Sequence, residues 1–519
     1  MRRSAIYLPL IIALSVIAGL YMSRRFNRGG GYGAGAGSAK LMELMRYIDQ
    51  SYVDRVDADS LLGATIDAML QQLDPHSSYI DAAYFSQVEE NLHGSFYGIG
   101  VEFNIIRDTV VVVTAISGGP SEQLGIRSGD RIVEVEGDTI AGTGMQNNDI
   151  INLLRGERGT EVRVGIVRPG VDEILPFTII RDEIPIHSLD AAYLINDSVG
   201  YIKLNRFAEN TMGEYLEGFD KLKRSSDNLK GLILDLRGNP GGFLHIATSL
   251  ADEFLSEGQD IVHTEGRMRA NKNNVATRKG RWEQGGLAIL IDGGSASASE
   301  IVAGAVQDHD RGWILGNRSF GKGLVQEQLK LSDGSAVRLT VARYYTPSGR
   351  CIQRPYTDSF AENDTAKIDT FYTDMGRPVF DGGGIKPDVE VAEDSTLYIR
   401  SYYFLMNHGD FRNFAFREAD RIRTGTTLNP DSVWAAWNAP DVRAALLGRF
   451  RKHVEGRGFS WPDRLEVEVS ELIVNQLQAL IARQIWGDET FYRMLNRDDA
   501  YIRTALDLIF KPVHQPEES

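Results

Sequence analysis

The chain holds one cysteine, Cys351. It cannot close an internal disulfide, so neither a redox compartment nor a disulfide-stabilised fold can be read from cysteine spacing. Metal chemistry is also poorly supplied: the 9 histidines are scattered, with no H-E-x-x-H or C-x-x-C spacing, and no tetrahedral site has ligands to rest on. Positive charge is in deficit, with 56 Lys and Arg against 71 Asp and Glu and a formal net charge of −15. With a pI near 5.2, nucleic acid is excluded as the main partner, because phosphate binding needs a basic face. The local exception, Arg267 to Arg281 with Arg269, Lys272, Arg278 and Lys279 inside it, reads as a solvated loop.

What is present is a chain of 519 residues, 42% hydrophobic and 24% charged, too long for one core and therefore divided into domains. Arg2 and Arg3 precede an apolar run from Ala5 to Met22, closed by Arg24, Arg25 and Arg28. The run is long for a signal-peptide core and long enough to span a bilayer, so an uncleaved anchor is favoured over a cleaved signal. Residues 1–39 are read as this segment with the glycine-rich linker Gly29 to Gly37, and residues 40–94 as an N-terminal helical region. In that region Leu41, Leu44, Met45 and Ile48, then Leu62, Ile66, Met69, Leu70 and Leu73, recur at helical spacing and predict packing faces.

Over residues 95–182 the pattern changes to short β-runs, FYGIGVEF, VVVVTAI, GDRIVEVEG and VRVGIV, with the helix-turn SEQLGIRSGD among them. This order resembles a PDZ domain, in which Gly98-Ile99-Gly100-Val101 is the loop of amides that captures a peptide's terminal carboxylate while the next strand pairs with the peptide. Residues 183–394 alternate strand and helix signals, including GLILDLRG and LAILIDGG, and predict a layered α/β core. Asp333-Gly334 joins two later β-runs as a hairpin turn. Residues 395–519 turn aromatic and helix-patterned, a C-terminal helical domain.

The chemistry concentrates where the run LAILIDGG breaks into SASASE and a helix-like IVAGAVQDH. Ser295, Ser297 and Ser299 all sit where a strand turns into a helix, and amides at a helix start can hold an oxyanion. Equally, the small residues cap a tightly packed helix, with Ser295 or Ser297 as N-cap and Glu300 as box partner. Downstream lies Gly321-Lys322-Gly323, with Gln326 close behind. A serine hydroxyl needs a base, and a lysine serves as one only when burial lowers its pKa from about 10.4. In isolation such a lysine is a surface turn residue. The run LDLRGNPGG ends in Gly241 and Gly242, whose amides suit an oxyanion, a phosphate or a bare turn.

Taken together, LDPHSSY at Leu73 to Tyr79, the PDZ-like segment, LDLRGNPGG, SASASEI, FGKGLVQ and GGGIKPDV resemble the C-terminal processing peptidases, the tail-specific serine proteases of the S41 type. The resemblance covers about Lys40 to Val391. It implies a multidomain α/β fold, with the PDZ-like domain inserted before a Ser-Lys protease core similar to the crotonase and Clp protease folds, flanked by N- and C-terminal helical parts. It further implies Ser297 as nucleophile, Lys322 as general base, Gln326 as the residue orienting it, and Ala298 with Gly241 or Gly242 as the oxyanion hole. No cofactor or metal is implied. The partners implied are proteins or peptides with free C-terminal tails and, through the N-terminal segment, a membrane. Homo-oligomers and adaptors are left open.

The expected setting is a bacterial cell envelope, anchored in the inner membrane with the catalytic part in the periplasm, or soluble there if the signal is cleaved. Three rivals stand beside this reading. A PDZ scaffold without catalysis is opposed by the complete Ser297, Lys322 and Gln326 set. A crotonase-type thioester enzyme is opposed by the PDZ-like segment. A Ser-His-Asp hydrolase using His309 is opposed by the absence of G-x-S-x-G around Ser297.

Overall fold

The computed structural model describes residues 34–106, 108–116, 118–168, 170–268, 270–277, 279–355, 369–392, 400–423, 436–462 and 469–513. Two compact units divide the chain, Met1–Tyr79 and Ile80–Ser519. The apolar run Ala5 to Met22 lies outside the described residues, and among those that are described no helix is long and apolar enough to cross a membrane.

In the first unit, helix α1 spans Ala34–Ser51 and α2 spans Ala58–Gln71. Asp57 caps α2 by accepting from Asp59 N, and Asp74 forms a turn beyond it by accepting from His76 N and Ser77 N. Two expectations are corrected here. The helix begins at Ala34, inside the stretch read as linker, because alanines and the amphipathic run that follows favour helix over the cost of the glycines. The apolar stripes are only partly packed: Leu70 is buried, but Leu44, Met69 and Leu73 are 54%, 51% and 64% exposed. Helical spacing shows that a face exists, not that something covers it.

The second unit opens with α3 (Ala82–His93), then β1 (Ser95–Gly98). Strands β2 (Val101–Ile105), β3 (Val110–Ala115), β4 (Arg131–Val135), β5 (Asp138–Thr139), β6 (Glu161–Val167) and β7 (Leu175–Ile180) form one sheet, with helix α4 (Asn147–Leu154) against it. Alternating inward residues, among them Val110, Val112, Ile132, Val164 and Ile166, build its own core. Strand β8 (Asp182–Pro185) returns antiparallel to β1, so the chain enters and leaves this domain through a two-stranded neck.

A parallel-sheet layer follows. Strand β9 (Leu189–Asn196) pairs antiparallel with β10 (Val199–Leu204). Strands β10, β11 (Gly231–Asp235), β14 (Gly286–Ile291), β15 (Trp313–Gly316) and β18 (Val389–Glu390) then run parallel, making a six-stranded sheet. Every residue of β10 and β11 is buried, the mark of strands covered on both faces. Helices α5 (Thr211–Ser225), α6 (Leu244–Asp252) and α7 (Ala298–Asp308) supply core partners on one face, with Phe219, Leu250 and Val302 among them. A second set of strands pairs antiparallel in the order β16 (Leu324–Lys330), β17 (Ala336–Tyr345), β12 (Asp260–Glu265), β13 (Lys272–Val275). The β16–β17 hairpin turns at Gly334, whose φ is +90°.

Beyond the core, α8 (Arg400–Asn407), α9 (Asp410–Arg423), α10 (Pro440–Glu455) and α11 (Ser470–Trp486) share a core of Leu405, Phe411, Phe450, Ile473 and Leu477. The last helices differ. Helices α12 (Asp488–Leu495) and α13 (Ala500–Leu508) follow, and Ile502, Ala505 and Ile509 join Tyr201, Ile233, Ala288 and Leu290 on the other face of the six-stranded sheet.

Candidate active site

Two loops at the ends of neighbouring parallel strands are bonded together. Strand β11 ends in Asp235 and continues through Leu236 to Gly242, while β14 ends in Ile291 and continues through Asp292 to Ser297. Gly238 N donates to Asp292 Oδ1 at 2.8 Å, and Ala296 N donates to Asn239 O at 3.0 Å. Two of the three serines serve this joint. Ser295 Oγ donates to Leu236 O at 2.9 Å, Ser299 Oγ donates to Asn239 O at 2.9 Å, and both side chains are buried.

Ser297 is different. It lines a cleft of about 810 Å³, and its backbone lies at φ 54° and ψ −109°. That is left-handed space for a residue with a Cβ, costing on the order of 1–3 kcal/mol and persisting only where neighbours enforce it. A nucleophile elbow has this strand-turn-helix geometry. Ser297 is the N-cap of α7, so Ala298 N–H stands at the positive end of the helix.

Enforcement comes from Glu300, a buried carboxylate. Its Oε2 accepts from Ser297 N at 2.7 Å and from Lys322 N at 2.9 Å, while Oε1 accepts from Gly321 N at 2.8 Å and from Ser319 Oγ at 2.5 Å. Burial pushes its pKa up to about 7, against the pull of those donors. Tyr344, also buried, donates to Lys322 O and stands 3.2 Å from Ser297 O. Sequence reasoning recognised Glu300 as a capping residue, but not its hold on the Lys322 loop, and missed Tyr344.

Lys322, Gln326, Gly241 and Gly242 line the same cleft as Ser297, with Phe243, Ile301 and Leu324. Lys322 Nζ donates to Gln326 Oε1 at 2.8 Å. Neither glycine is replaceable. A Cβ on Gly242 would lie 2.0 Å from Phe207 O, and one on Gly241 would lie 2.9 Å from Ser297 Cβ. The two amides are not equivalent: Gly241 N donates to Asn239 Oδ1 at 2.9 Å. Gly242 forms a parallel bridge with Phe207, in which Phe207 N donates to Gly241 O and Phe243 N donates to Phe207 O. Bridge geometry turns Gly242's own N–H and C=O away from Phe207.

His309 sits at the far end of α7 from Ser297 as its C-cap, with Nδ1 2.7 Å from Asp374 Oδ2 and Nε2 2.7 Å from Asp260 O. Both ring nitrogens are engaged there. A Ser-His-Asp arrangement with Ser297 is therefore not built. In the preceding domain, Gly98, Ile99, Gly100 and Val101 line a separate groove of about 230 Å³, with Phe96, Phe103, Ile151 and Leu154 supplying apolar walls. Arg155 at the groove pairs with Glu90 of α3 at 2.7 Å. Phe85, Glu89, Leu92 and His93 of the same helix line the Ser297 cleft.

Family models match both the sheet-bearing core and the domain that precedes it. The model of "Peptidase family S41" matches residues 198–359, and that of "PDZ domain" matches residues 111–168. The chain is 39% identical over 318 residues to the carboxy-terminal-processing protease of Bartonella bacilliformis, covering 61% of this chain and 72% of that protein. It is 33% identical over 320 residues to carboxy-terminal processing protease CtpB of Bacillus subtilis, covering 61% of this chain and 65% of that one. Among solved structures, the photosystem II D1 C-terminal processing protease matches at 29% identity and a TM-score of 0.36, over 67% of this chain and 92% of that one.

Proposed function

The chain belongs to peptidase family S41, the carboxy-terminal processing serine proteases that carry a PDZ domain, and from that premise we propose that it is a Ser-Lys endopeptidase acting on proteins with free C-terminal tails. In this reading neutral Lys322 takes the proton of Ser297 Oγ as the hydroxyl attacks the scissile carbonyl. The oxyanion is held by the N–H of Ala298 and of Gly242, since Gly241 N is engaged by Asn239. Lys322 then returns the proton to the leaving amine, an ester on Ser297 remains, and water hydrolyses it by the same base. Gln326 aims the amine. Asp292, Glu300 and Tyr344 hold the loops. No cofactor is required.

One observation carries the reading: Ser297, Lys322, Gln326 and the Gly241-Gly242 turn, from three separate motifs, line a single cleft. Tail recognition is assigned to the groove at Gly98 to Val101, whose apolar walls suit an apolar terminal residue and whose amides suit its carboxylate. The Arg155–Glu90 ion pair links that groove to the helix lining the cleft, a route by which an occupied groove can alter the catalytic side. The setting proposed is the cell envelope, with Ala5 to Met22 as anchor and the catalytic part in the periplasm.

The test is cleavage of a peptide with a free apolar C-terminus and of its amidated twin by the wild-type chain, Ser297→Ala and Lys322→Ala. The reading expects both variants to lose activity by roughly 10³-fold or more and the free tail to be preferred. Undiminished cleavage by either variant would end the catalytic assignment, and equal cleavage of the two peptides would end tail capture.

A further inference from the structure

Helices α12 and α13 lie beyond the segment matched by the family model, yet they reach the active-site loop. Arg237, the residue before Gly238, donates through Nε and Nη2 to Asp235 at 3.1 and 2.6 Å. Its remaining nitrogen, Nη1, donates to Asp499 Oδ2 at 2.8 Å. The guanidinium stacks on the Tyr501 ring at 4.6 Å, and Tyr501 OH accepts from Asn317 Nδ2 at 2.7 Å. Lys203 also donates to Asp235, at 3.2 Å, and Tyr201 OH donates to it at 2.7 Å.

Asp499 is the second carboxylate bonded to this cluster's cations, and Asp190 also feels the charge of Lys203. Two carboxylates, Asp235 and Asp499, face two cations, Lys203 and Arg237. The Arg237 and Asp499 side chains are 19% and 16% exposed, and Asp235 is 1% exposed. Removing one charge from so enclosed a set leaves the others uncompensated and drives them to rearrange. Arg237 is tied into the loop that follows. Gly238 N is held by Asp292 and the Asn239 carbonyl by Ala296 N and Ser299 Oγ, while Asn239 Oδ1 holds Gly241 N. A shift at Arg237 therefore passes to the glycine pair and to the turn that bears Ser297.

We infer that Asp499 is a positioning residue for the proteolytic reaction: from the N-cap of α13 it neutralises Arg237 and fixes the Leu236–Gly242 loop where Gly242 N–H meets the oxyanion. The inference rests on the oxyanion role proposed above for Gly242 and Ala298. It gives the C-terminal segment a part in the active site rather than only a place on the back of the sheet.

The two carboxylate oxygens of Asp499 can be tested apart, because Oδ1 caps the helix by accepting from Tyr501 N at 2.7 Å while Oδ2 serves Arg237. Asn and Ser preserve the cap. Asp499→Asn, however, turns an amide toward the guanidinium, and Asp499→Ser is too short to reach it. With the full chain, both are expected to lower kcat about tenfold, a fraction of what deleting an oxyanion donor costs. Both should weaken a peptide aldehyde, which mimics the tetrahedral adduct, by a similar factor, with KM unchanged and Asp499→Glu restoring most of the loss.

Glu489→Gln is the control. It removes the Glu489–Lys221 ion pair, another contact between this segment and the core, and should leave kcat intact. Wild-type kcat in Asp499→Asn and Asp499→Ser would overturn the inference. So would an equal loss in Glu489→Gln, a change confined to melting temperature, or failure of both capping variants to fold, each of which points to a structural role alone. Ser297→Ala, run alongside, separates the two claims: if it is inactive while the Asp499 variants are normal, only the present inference falls. If it still cleaves, the oxyanion assignment falls as well.

Discussion

Ser297 and Lys322 donate their backbone N–H groups to the same oxygen of Glu300, at 2.7 and 2.9 Å. One buried carboxylate thus sets the spacing between the proposed nucleophile and its proposed base. Glu300→Gln keeps the shape but gives one side of the group N–H donors where N–H donors already point. We predict a fall in kcat of about tenfold or more with little change in KM, since misplacement of reacting groups is felt in the rate. Steady-state kinetics on a free-tail peptide reads this directly.

The same residue sets a pH dependence of stability. Burial raises its folded pKa from 4.5 to about 7, so the folded chain holds the proton more tightly than the unfolded chain. The stabilisation is complete below pH 4.5 and is lost as pH rises through about 7. Urea unfolding across that window should show the decline in the wild-type chain and a smaller one in Glu300→Gln. Identical slopes would remove Glu300 as the cause.

Arg350 is fully buried and donates to Asp308 Oδ1 at 2.6 Å and Gln307 Oε1 at 2.7 Å. Asp308→Ala strands that cation. The expected loss of stability is about 3–5 kcal/mol, most of it recovered in the double variant Asp308→Ala/Arg350→Met, because an apolar pair carries no buried charge. Chemical denaturation of the single and double variants measures the difference.

The peptide groove is predicted to act through affinity. Ile151 lines it beside Leu154 and Ile99, and Ile151→Asp buries an unpaired charge against the apolar tail. KM for the free-tail peptide should rise roughly tenfold, and its advantage over the amidated peptide should disappear. Peptide titration followed by fluorescence anisotropy provides the second reading.

The Arg338 guanidinium lines the cleft half-buried, burial lowers its pKa, and among the described residues no side-chain hydrogen bond or ion pair engages it. A substrate carboxylate would complete it. Peptides with Glu in place of Gln within the bound stretch should be cleaved about fivefold better, a preference that Arg338→Met should erase. A Glu/Gln-randomised peptide library resolved by mass spectrometry gives the comparison.

Much of this architecture is legible in the sequence, for a physical reason. The runs GLIL, just before Asp235, and GLAILI are apolar throughout because both faces of those strands are covered, and Gly241 and Gly242 after the first mark a turn no side chain could enter. The choice among Ser295, Ser297 and Ser299 does not follow from spacing. Each is a small residue at a helix start, and what separates them is whether the hydroxyl finds Leu236 O or Asn239 O on another loop. Tyr344's hold on the active-site loops and Asp499's tie to Arg237 carry no local signal, since these partners lie on distant segments, Arg237 being 262 positions from Asp499. Hydrophobic spacing in α1 and α2 predicted faces correctly as faces, but their exposure depends on what packs over them, and that is not a property of the spacing.

The most direct test of the Ser-Lys assignment is to treat the chain with a fluorophosphonate bearing a short peptide and to map the adduct by peptide mass spectrometry. The account predicts one adduct, on Ser297, absent in Ser297→Ala and formed at least 10²-fold more slowly in Lys322→Ala. An adduct on another serine, or labelling of Lys322→Ala at the wild-type rate, would contradict it.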